Sequence, residues 1–343
     1  MKVGIMSDSH LGERRFRRQV GHQNMFKLQN YKCFREALVK LQDADCILLA
    51  GDLYDGPNPD VDAIIVSKEL AHLKVPAFVL GGNHDFSKLA ESNGYHSFDV
   101  LRDEGGKVSF VTEFGVFDLN PNIQLFCIPY GQLNAESFAK VSRLLDRSKL
   151  NILMAHGYLE VGGERDEEYG LPQVVAKNFD LVVCGHVHLP NMVGMGKVKV
   201  LTPGSLMPSA AAFNAGMQMD AKPSVWMYDT ESKSLERIHL ENAPSVYSIH
   251  TSNLNETLEN VVNANELPPP IYSISYSGSM ADVDESVYKK ALHKVMNLSV
   301  STLDGNMTQR QNDAPMVGFW DFIKRDHPCY YEEFQEIVKE AGM

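Results

Sequence analysis

Short apolar runs alternate with longer amphipathic stretches at the start of the chain: Lys2 to Met6, Tyr31 to Leu41, Cys46 to Ala50, Val61 to Leu73, then Ala77 to Leu80. The apolar runs have strand lengths and the stretches between them have helix lengths. The pattern therefore predicts strands joined by helical crossovers. Further strands are expected at Ile123 to Ile128, Ile152 to Ala155, Leu181 to Cys184, Val198 to Leu201 and Val225 to Tyr228. Together these predict one layered α/β domain over residues 1–243.

After Pro244 the texture changes. Ser245 to His250, Ile271 to Tyr276 and Leu298 to Leu303 read as strands, with helices at Leu254 to Ala264 and Glu285 to Met296. This βαβαβ set, interrupted by the stiff Leu267-Pro-Pro-Pro270 stretch, predicts a small second α/β domain over 244–303. Residues 304–316 are polar and lack periodicity, as a flexible linker does. Residues 317–343 read as two short helices divided at His327-Pro328.

At 343 residues the chain exceeds what one ordinary core supports, which agrees with a large domain plus a smaller one. A hydrophobic content of 44% and a charged content of 22% are those of a soluble globular protein. The formal charge of −12 argues against a generally DNA-coating surface, so a polyanion has to be met locally, by bound cations or a basic patch. The five cysteines (Cys33, Cys46, Cys127, Cys184, Cys329) are far apart and form no CxxC pair, which suggests neither a disulfide framework nor a thiolate zinc site. MKVGIMSDSH turns polar too soon for a secretory signal, and no apolar stretch approaches the ~18 residues that span a bilayer. A soluble, cytoplasmic protein is expected, with no membrane partner.

The chemistry lies where the apolar runs stop. VVCGHVHLP (Val182 to Pro190) places His186 and His188 on the same side of a strand exit. Their Cβ atoms are then about 7 Å apart by the strand rise of ~3.3 Å per residue. Such a pair could share one ion, or each could serve one of two ions roughly 3.5–4 Å apart. Similar clusters end other runs: Asp8 and His10 in MSDSHLG, Asp52 in LLAGDLYDG, Asn83, His84 and Asp85 in VLGGNHDF, and His156 in ILMAHGY. Taken singly, each has a bland explanation, such as a helix N-cap, a turn or a buried histidine. Taken together they put seven donors (Asp8, His10, Asp52, Asn83, His156, His186, His188) at strand ends, which in α/β sheets gather at one edge. One ion cannot use so many, whereas two ions sharing a carboxylate can.

The series DxH, GD, GNHD, H and GHxH resembles that of the calcineurin-like metallophosphoesterases, and it spans Asp8 to His188. The resemblance implies a two-layered β-sandwich flanked by helices, with two divalent metals at one edge. It assigns Asp8, His10, Asp52 and His188 to one metal, and Asp52, Asn83, His156 and His186 to the other, with Asp52 as the bridge. His84, steadied by Asp85 or Asp55, would protonate the leaving group or contact the phosphate. Oxygen and imidazole donors without thiolate point to manganese.

SDSHLG, GDLYD, IPYG (Ile128 to Gly131) and TPGS (Thr202 to Ser205) are similar to segments of the SbcD-type DNA repair nucleases and their phage counterparts. That similarity implies an exonuclease or endonuclease with a small α/β capping domain. It also implies C-terminal helices that dock on an SbcC-type coiled-coil ABC ATPase, and a homodimer. Arg14, Arg15, Arg17 and Arg18 follow the first motif and could meet a DNA backbone, or form a solvated face. Phe319, Trp320, Phe322 and Ile323, then Phe334 and Ile337, give apolar faces beyond the linker, suited to a partner groove or to packing back on the parent domain. A stand-alone phosphodiesterase acting on nucleotides or small phosphoesters is the alternative, as is a scaffold with weak catalysis.

Overall fold

The computed structural model describes residues 1–13, 19–20, 23–86, 97–102, 107–160, 169–208 and 222–302. Strands β1 (Lys2–Met6), β2 (Cys46–Leu49), β3 (Ala77–Leu80) and β4 (Val108–Val111) lie parallel, side by side. The chain then builds a second sheet from β5 (Gly115–Asn120), β6 (Ile123–Ile128), β7 (Leu150–His156), β8 (Leu181–Gly185), β9 (Asn191–Met195) and β10 (Val198–Thr202). It returns to the first sheet with β11 (Ser224–Asp229), antiparallel to β1, and β12 (Ser234–His239). The orders are β12-β11-β1-β2-β3-β4 and β9-β10-β8-β7-β6-β5.

The two sheets pack face to face. Alternate residues of each central strand meet between them: Val3, Ile5, Cys46 and Leu48 from one, Leu125, Cys127, Ile152, Met154, Leu181 and Val183 from the other. The residues in between face outward, where helices cover them. Met6, Ile47 and Leu49 pack with Phe34, Ala37 and Leu41 of helix α1 (Met25–Lys40) and its C-cap. Phe126, Leu153 and Val182 lie in a cluster with Val141 of the helix Ala135–Leu144. Burial on both faces is why these strands read as unbroken apolar runs. The fold is thus an α/β sandwich of two mixed sheets flanked by helices.

Helix α1 starts six residues earlier than the hydrophobic pattern suggests, at Met25 rather than Tyr31. Asn24 caps it by accepting from the Lys27 backbone N–H at 3.0 Å. Its first turns bury polar residues that already have partners. The Lys27 ammonium sits between Asp60 and Asp62 at 2.7 and 2.8 Å, and Asn30 donates to the Ser9 carbonyl at 2.7 Å. Polar residues satisfied this way hide the amphipathic period. Helices α2 (Val61–Ser67) and α3 (Ala135–Leu144) are capped in the same manner by Asp60 and Asn134.

Strands β13 (Val246–Thr251), β14 (Ile271–Tyr276) and β15 (Asn297–Thr302) form a separate parallel sheet in that order, joined by α4 (Leu254–Asn263) and α5 (Glu285–Lys294). It has its own apolar cluster, built on Leu258, Ile274, Ala291 and Leu298. Val246, Ile271 and Met296 pack instead against the cluster beneath α1. Cys33, Cys46, Cys127 and Cys184 are free and buried, and burial pushes the Cys46 and Cys184 thiols up to about 12. No helix among the described residues is long and apolar enough to cross a membrane. The expected arginine cluster (Arg14, Arg15, Arg17, Arg18), the 304–316 linker and the apolar positions from Phe319 to Ile337 lie outside the described residues.

Candidate metal centre

The exits of β1 and β2 are laced together. The Asp8 and His10 backbone N–H groups donate to the Gly51 and Asp52 carbonyls, both at 3.0 Å, and Leu11 bonds to Leu53 at 2.9 Å. The exit of β3 is tied to β6, since the Tyr130 N–H donates to Gly81 at 3.0 Å; the exits of β7 and β8 meet where Gly157 donates to Gly185 at 3.2 Å. Six chain segments, five of them carrying ligand candidates, thereby end at one edge of the sandwich. The turns are tight. Among the described residues five non-glycine residues have positive φ, and four of them are Asp8 (50°), His10 (43°), Asp52 (52°) and His186 (85°). Such backbone persists only where the surroundings over-determine it, and it gathers at functional sites.

Two glycines let these turns close. Gly51 has φ +99°, and a Cβ there would lie 2.0 Å from His156 Nδ1; at Gly82 a Cβ would lie 2.1 Å from Asp52 Oδ1. The motif glycines are spacers that bring ligand-bearing loops within van der Waals contact.

Asp8, His10, Asp52 and His188 offer ligand atoms that all lie within 4.8 Å of one another. His10 Nε2 and His188 Nε2 are 3.0 Å apart, Asp52 Oδ2 is 3.7 Å from the former, and Asp8 Oδ1 is 3.7 Å from the latter. A second His/Asp group comprises His10, Asp55 and His84. The two groups are consistent with a dimetal site. A further convergence surrounds Asn83, whose Oδ1 is 2.9 Å from His156 Nε2 and 3.1 Å from His186 Nδ1; His156 Nε2 also lies 3.4 Å from Asp52 Oδ2. All seven donors expected from the sequence thus come together, with Asp52 between the sets.

The donor chemistry fits cations. The His156 Nδ1–H donates to the Ala50 carbonyl at 2.9 Å, which leaves Nε2 as a lone pair facing two oxygens. Acceptor facing acceptor is unfavourable unless a positive charge lies between them. Adjacent ligands on an octahedral ion with ~2.1 Å bonds are ~3.0 Å apart, the scale of the separations found here. His10 Nδ1 is buried without a hydrogen bond, with Asp55 Oδ1 3.3 Å away.

Without an ion, protons take up part of that role. Burial pulls His10 and His156 down, but the carboxylates of Asp55 and Asp52 for His10, and of Asp52 and Asp8 for His156, outweigh it and raise both to about 9. Burial raises Asp8, while His156 pulls the other way. Burial would raise Asp52 as well, yet His156 and His10 hold it well below the usual carboxylate range. His186 is lowered, by burial first and then by the charge of His156.

The remaining expected residues take distinct places. Asp85 is buried, and its carboxylate accepts from the backbone N–H groups of Tyr54 (3.0 Å), Gly82 (2.9 Å) and Leu53 (3.3 Å), so it pins the β2 and β3 loops to each other. Burial and the nearby Asp52 push it up to about 7. The His84 backbone N–H donates to Asp52 Oδ1 at 2.9 Å, and its Nδ1–H donates to the Asp55 main-chain carbonyl at 2.9 Å. Its ring is partly exposed at the mouth of the site and meets His10 edge-on at 4.7 Å.

Other residues shape the site without being candidate ligands. Ser7 donates its hydroxyl to Asp8. The TPGS turn props the histidine loop, because the Ser205 N–H donates to the His188 carbonyl at 3.0 Å. Tyr169 stacks on His186, and nothing in the sequence around it marks it out.

A sandwich edge carrying buried carboxylates and imidazoles in two ion-sized groups defines a catalytic metallophosphoesterase. The chain belongs to the calcineurin-like phosphoesterase family, whose model matches residues 1–190. It is similar to the SbcD component of the SbcCD nuclease of Staphylococcus epidermidis, with 28% identity over 227 residues, covering 58% of this chain and 60% of that protein. The corresponding component from Staphylococcus saprophyticus is 26% identical over 228 residues, covering 55% and 57% respectively. The chain thus spans less than two thirds of the length of these relatives. Among solved structures, an archaeal phosphodiesterase shares 17% identity over 70% of this chain and 100% of its own, at a TM-score of 0.39.

Proposed function

We propose that this protein is a manganese-dependent nuclease that hydrolyses DNA phosphodiesters in recombination or repair, together with a coiled-coil ABC ATPase of the SbcC type. The observation that carries the hydrolytic part is the convergence of seven oxygen and imidazole donors on Asp52. The nuclease and partner assignments are supported by the similarity to the SbcD component of the SbcCD nuclease.

In this reading Asp8, His10, Asp52 and His188 hold one cation, and Asp52, Asn83, His156 and His186 hold the other. When bound, the pair of cations supplies Lewis-acid polarisation of the phosphate and lowers the pKa of the attacking water. The protein's own residues do the rest. Asp85 and the glycine spacers hold the loops in register. His84 acts at the mouth of the site: with Nδ1–H committed to the Asp55 carbonyl, the doubly protonated imidazolium gives its Nε2 proton to the departing sugar oxygen and is left as the neutral Nδ1–H ring. Cations held by the β1, β2, β3, β7 and β8 exits also explain how a chain of net charge −12 receives a polyanion.

Residues 244–303 would cap the nuclease domain. Arg14, Arg15, Arg17 and Arg18 would meet the DNA backbone. The 304–316 tether would carry helices 317–343, with Phe319, Trp320, Phe322, Ile323, Phe334 and Ile337 facing the ATPase. A homodimer and a cytoplasmic location complete the proposal.

The test is digestion of labelled duplex and single-stranded DNA with manganese, with and without the ATPase. His84→Ala should lower turnover by about 10²–10⁴-fold while metal content stays at the parent level. Loss of metal in that variant would remove His84 from its acid role. Turnover of cyclic nucleotides or bis-p-nitrophenyl phosphate, with DNA left intact, would favour a stand-alone phosphodiesterase.

A further inference from the structure

The imidazoles gathered at the strand ends are not all fixed in the same way. His156 is held by a hydrogen bond from Nδ1 to the Ala50 carbonyl at 2.9 Å, the usual means by which a ligating histidine has its ring plane and tautomer set. His186 presents Nδ1 to Asn83, and among the described residues its other ring nitrogen makes no hydrogen bond. Its backbone is strained at φ 85°, and its side chain is only half-buried. Something else has to orient the ring.

That neighbour is Tyr169. Its ring lies parallel to His186, with centroids 4.3 Å apart and planes 16° apart. Tyr169 is itself backed by Tyr130, with centroids 5.4 Å apart and planes tilted by 33°, and Tyr130 meets Phe86 at 6.0 Å. The main chain delivers the ring accurately. Tyr158 and Leu159 pair with Gly170 and Leu171, and the Tyr158 N–H donates to the Tyr169 carbonyl at 2.9 Å. Gly157, directly after His156, makes this approach possible, since a Cβ there would lie 2.3 Å from the Tyr169 carbonyl oxygen.

We infer that Tyr169 is the positioning residue for His186, holding the imidazole in its ion-binding orientation by ring stacking in place of a hydrogen bond. The inference rests on the two-cation reading above. The plane of the ring is what acts, so the phenol hydroxyl is dispensable and a flat side chain is not.

Calorimetric titration of the full chain with manganese chloride tests it, on wild type, Tyr169→Phe, Tyr169→Leu and the pair of variants with and without His186→Ala. Wild type and Tyr169→Phe should take up two ions with equal affinities. Tyr169→Leu should keep one affinity and weaken the other by about 10–100-fold, the usual effect of losing a ligand's supporting partner. The metal-free melting temperature should not change, and Tyr169→Leu should add nothing once His186 is alanine. Unchanged binding in Tyr169→Leu overturns the inference, as does a Tyr169→Phe variant equally impaired. Parallel weakening of both ions with a lower melting temperature would make Tyr169 a merely structural residue and overturn it too. A wild-type protein that takes up one ion only overturns the two-cation reading itself, and the inference with it.

Discussion

The strand exits of the sandwich and the β13–β15 unit are made from similar strands, turns and helices, yet they obey local rules to different degrees. In the small unit each helix is capped by its own sequence: Asn253 accepts from the Glu256 N–H, and Asp284 from Ser286 and Val287. Among the described residues from 246 to 302 no non-glycine residue has positive φ. At the strand exits four ligand candidates do, and Asp8, Asp52 and Asp85 are each only 1% exposed. Buried carboxylates and left-handed backbone both cost free energy. They persist here because backbone hydrogen bonds between the loops hold them in place and because His156 and His10 offset the charge of Asp52. Departure from local preference marks the part of the molecule that does chemistry.

The sharpest way to break this contrast is Gly82→Ala. The added Cβ would meet Asp52, the residue common to both proposed cation sets, so manganese affinity measured by calorimetry should fall by two orders of magnitude or more. Far-UV circular dichroism should stay that of a folded protein. Retained affinity would mean that the loops are looser than their contacts indicate.

A smaller effect is expected where the two regions are joined. Glu36 of α1 accepts from the backbone N–H groups of Glu241 and Asn242 at 2.7 and 2.8 Å, just before β13. Burial would raise its carboxyl, but these donors lower it below the ordinary 4.5. A lowered folded-state pKa gives stability that is complete above that ordinary value and is lost as pH falls through the folded one. Glu36→Gln should therefore cost on the order of 1–2 kcal/mol at pH 7. In urea titrations the difference from the parent should narrow as pH falls below the ordinary carboxyl range, whereas a gap independent of pH would contradict the assignment.

The smallest effect belongs to the regular region. Asp284→Ala removes a helix cap and should cost roughly 1 kcal/mol, with no change in manganese affinity or turnover. A change in either would mean that the small unit is coupled to the site.

The same contrast explains what the amino-acid pattern disclosed. Central strands such as β2 and β8 are apolar throughout because both faces are covered, and each ligand candidate stands directly after such a run, so positions and spacing were legible together. The edge strands were not. β5 and β12 are half-exposed and β9 is exposed, with residues such as Asp118, Asn191 and Glu236 diluting any period. The site followed the same division. Asp52 and His156 were readable from their place at strand ends, whereas Tyr169 reaches His186 only through the pairing of Tyr158 with Gly170, a tertiary event without a local signature. Asp85 was expected to steady His84, but the fold gives its oxygens to three backbone amides instead.

The bond from the His186 backbone to the Asp8 carboxylate joins positions 178 residues apart. During translation, then, the ribosome has to deliver more than half of the polypeptide before the first loop meets its last partner. Until that moment the first loop lacks this partner, and it gains it only in chains whose two sheets have already closed on each other.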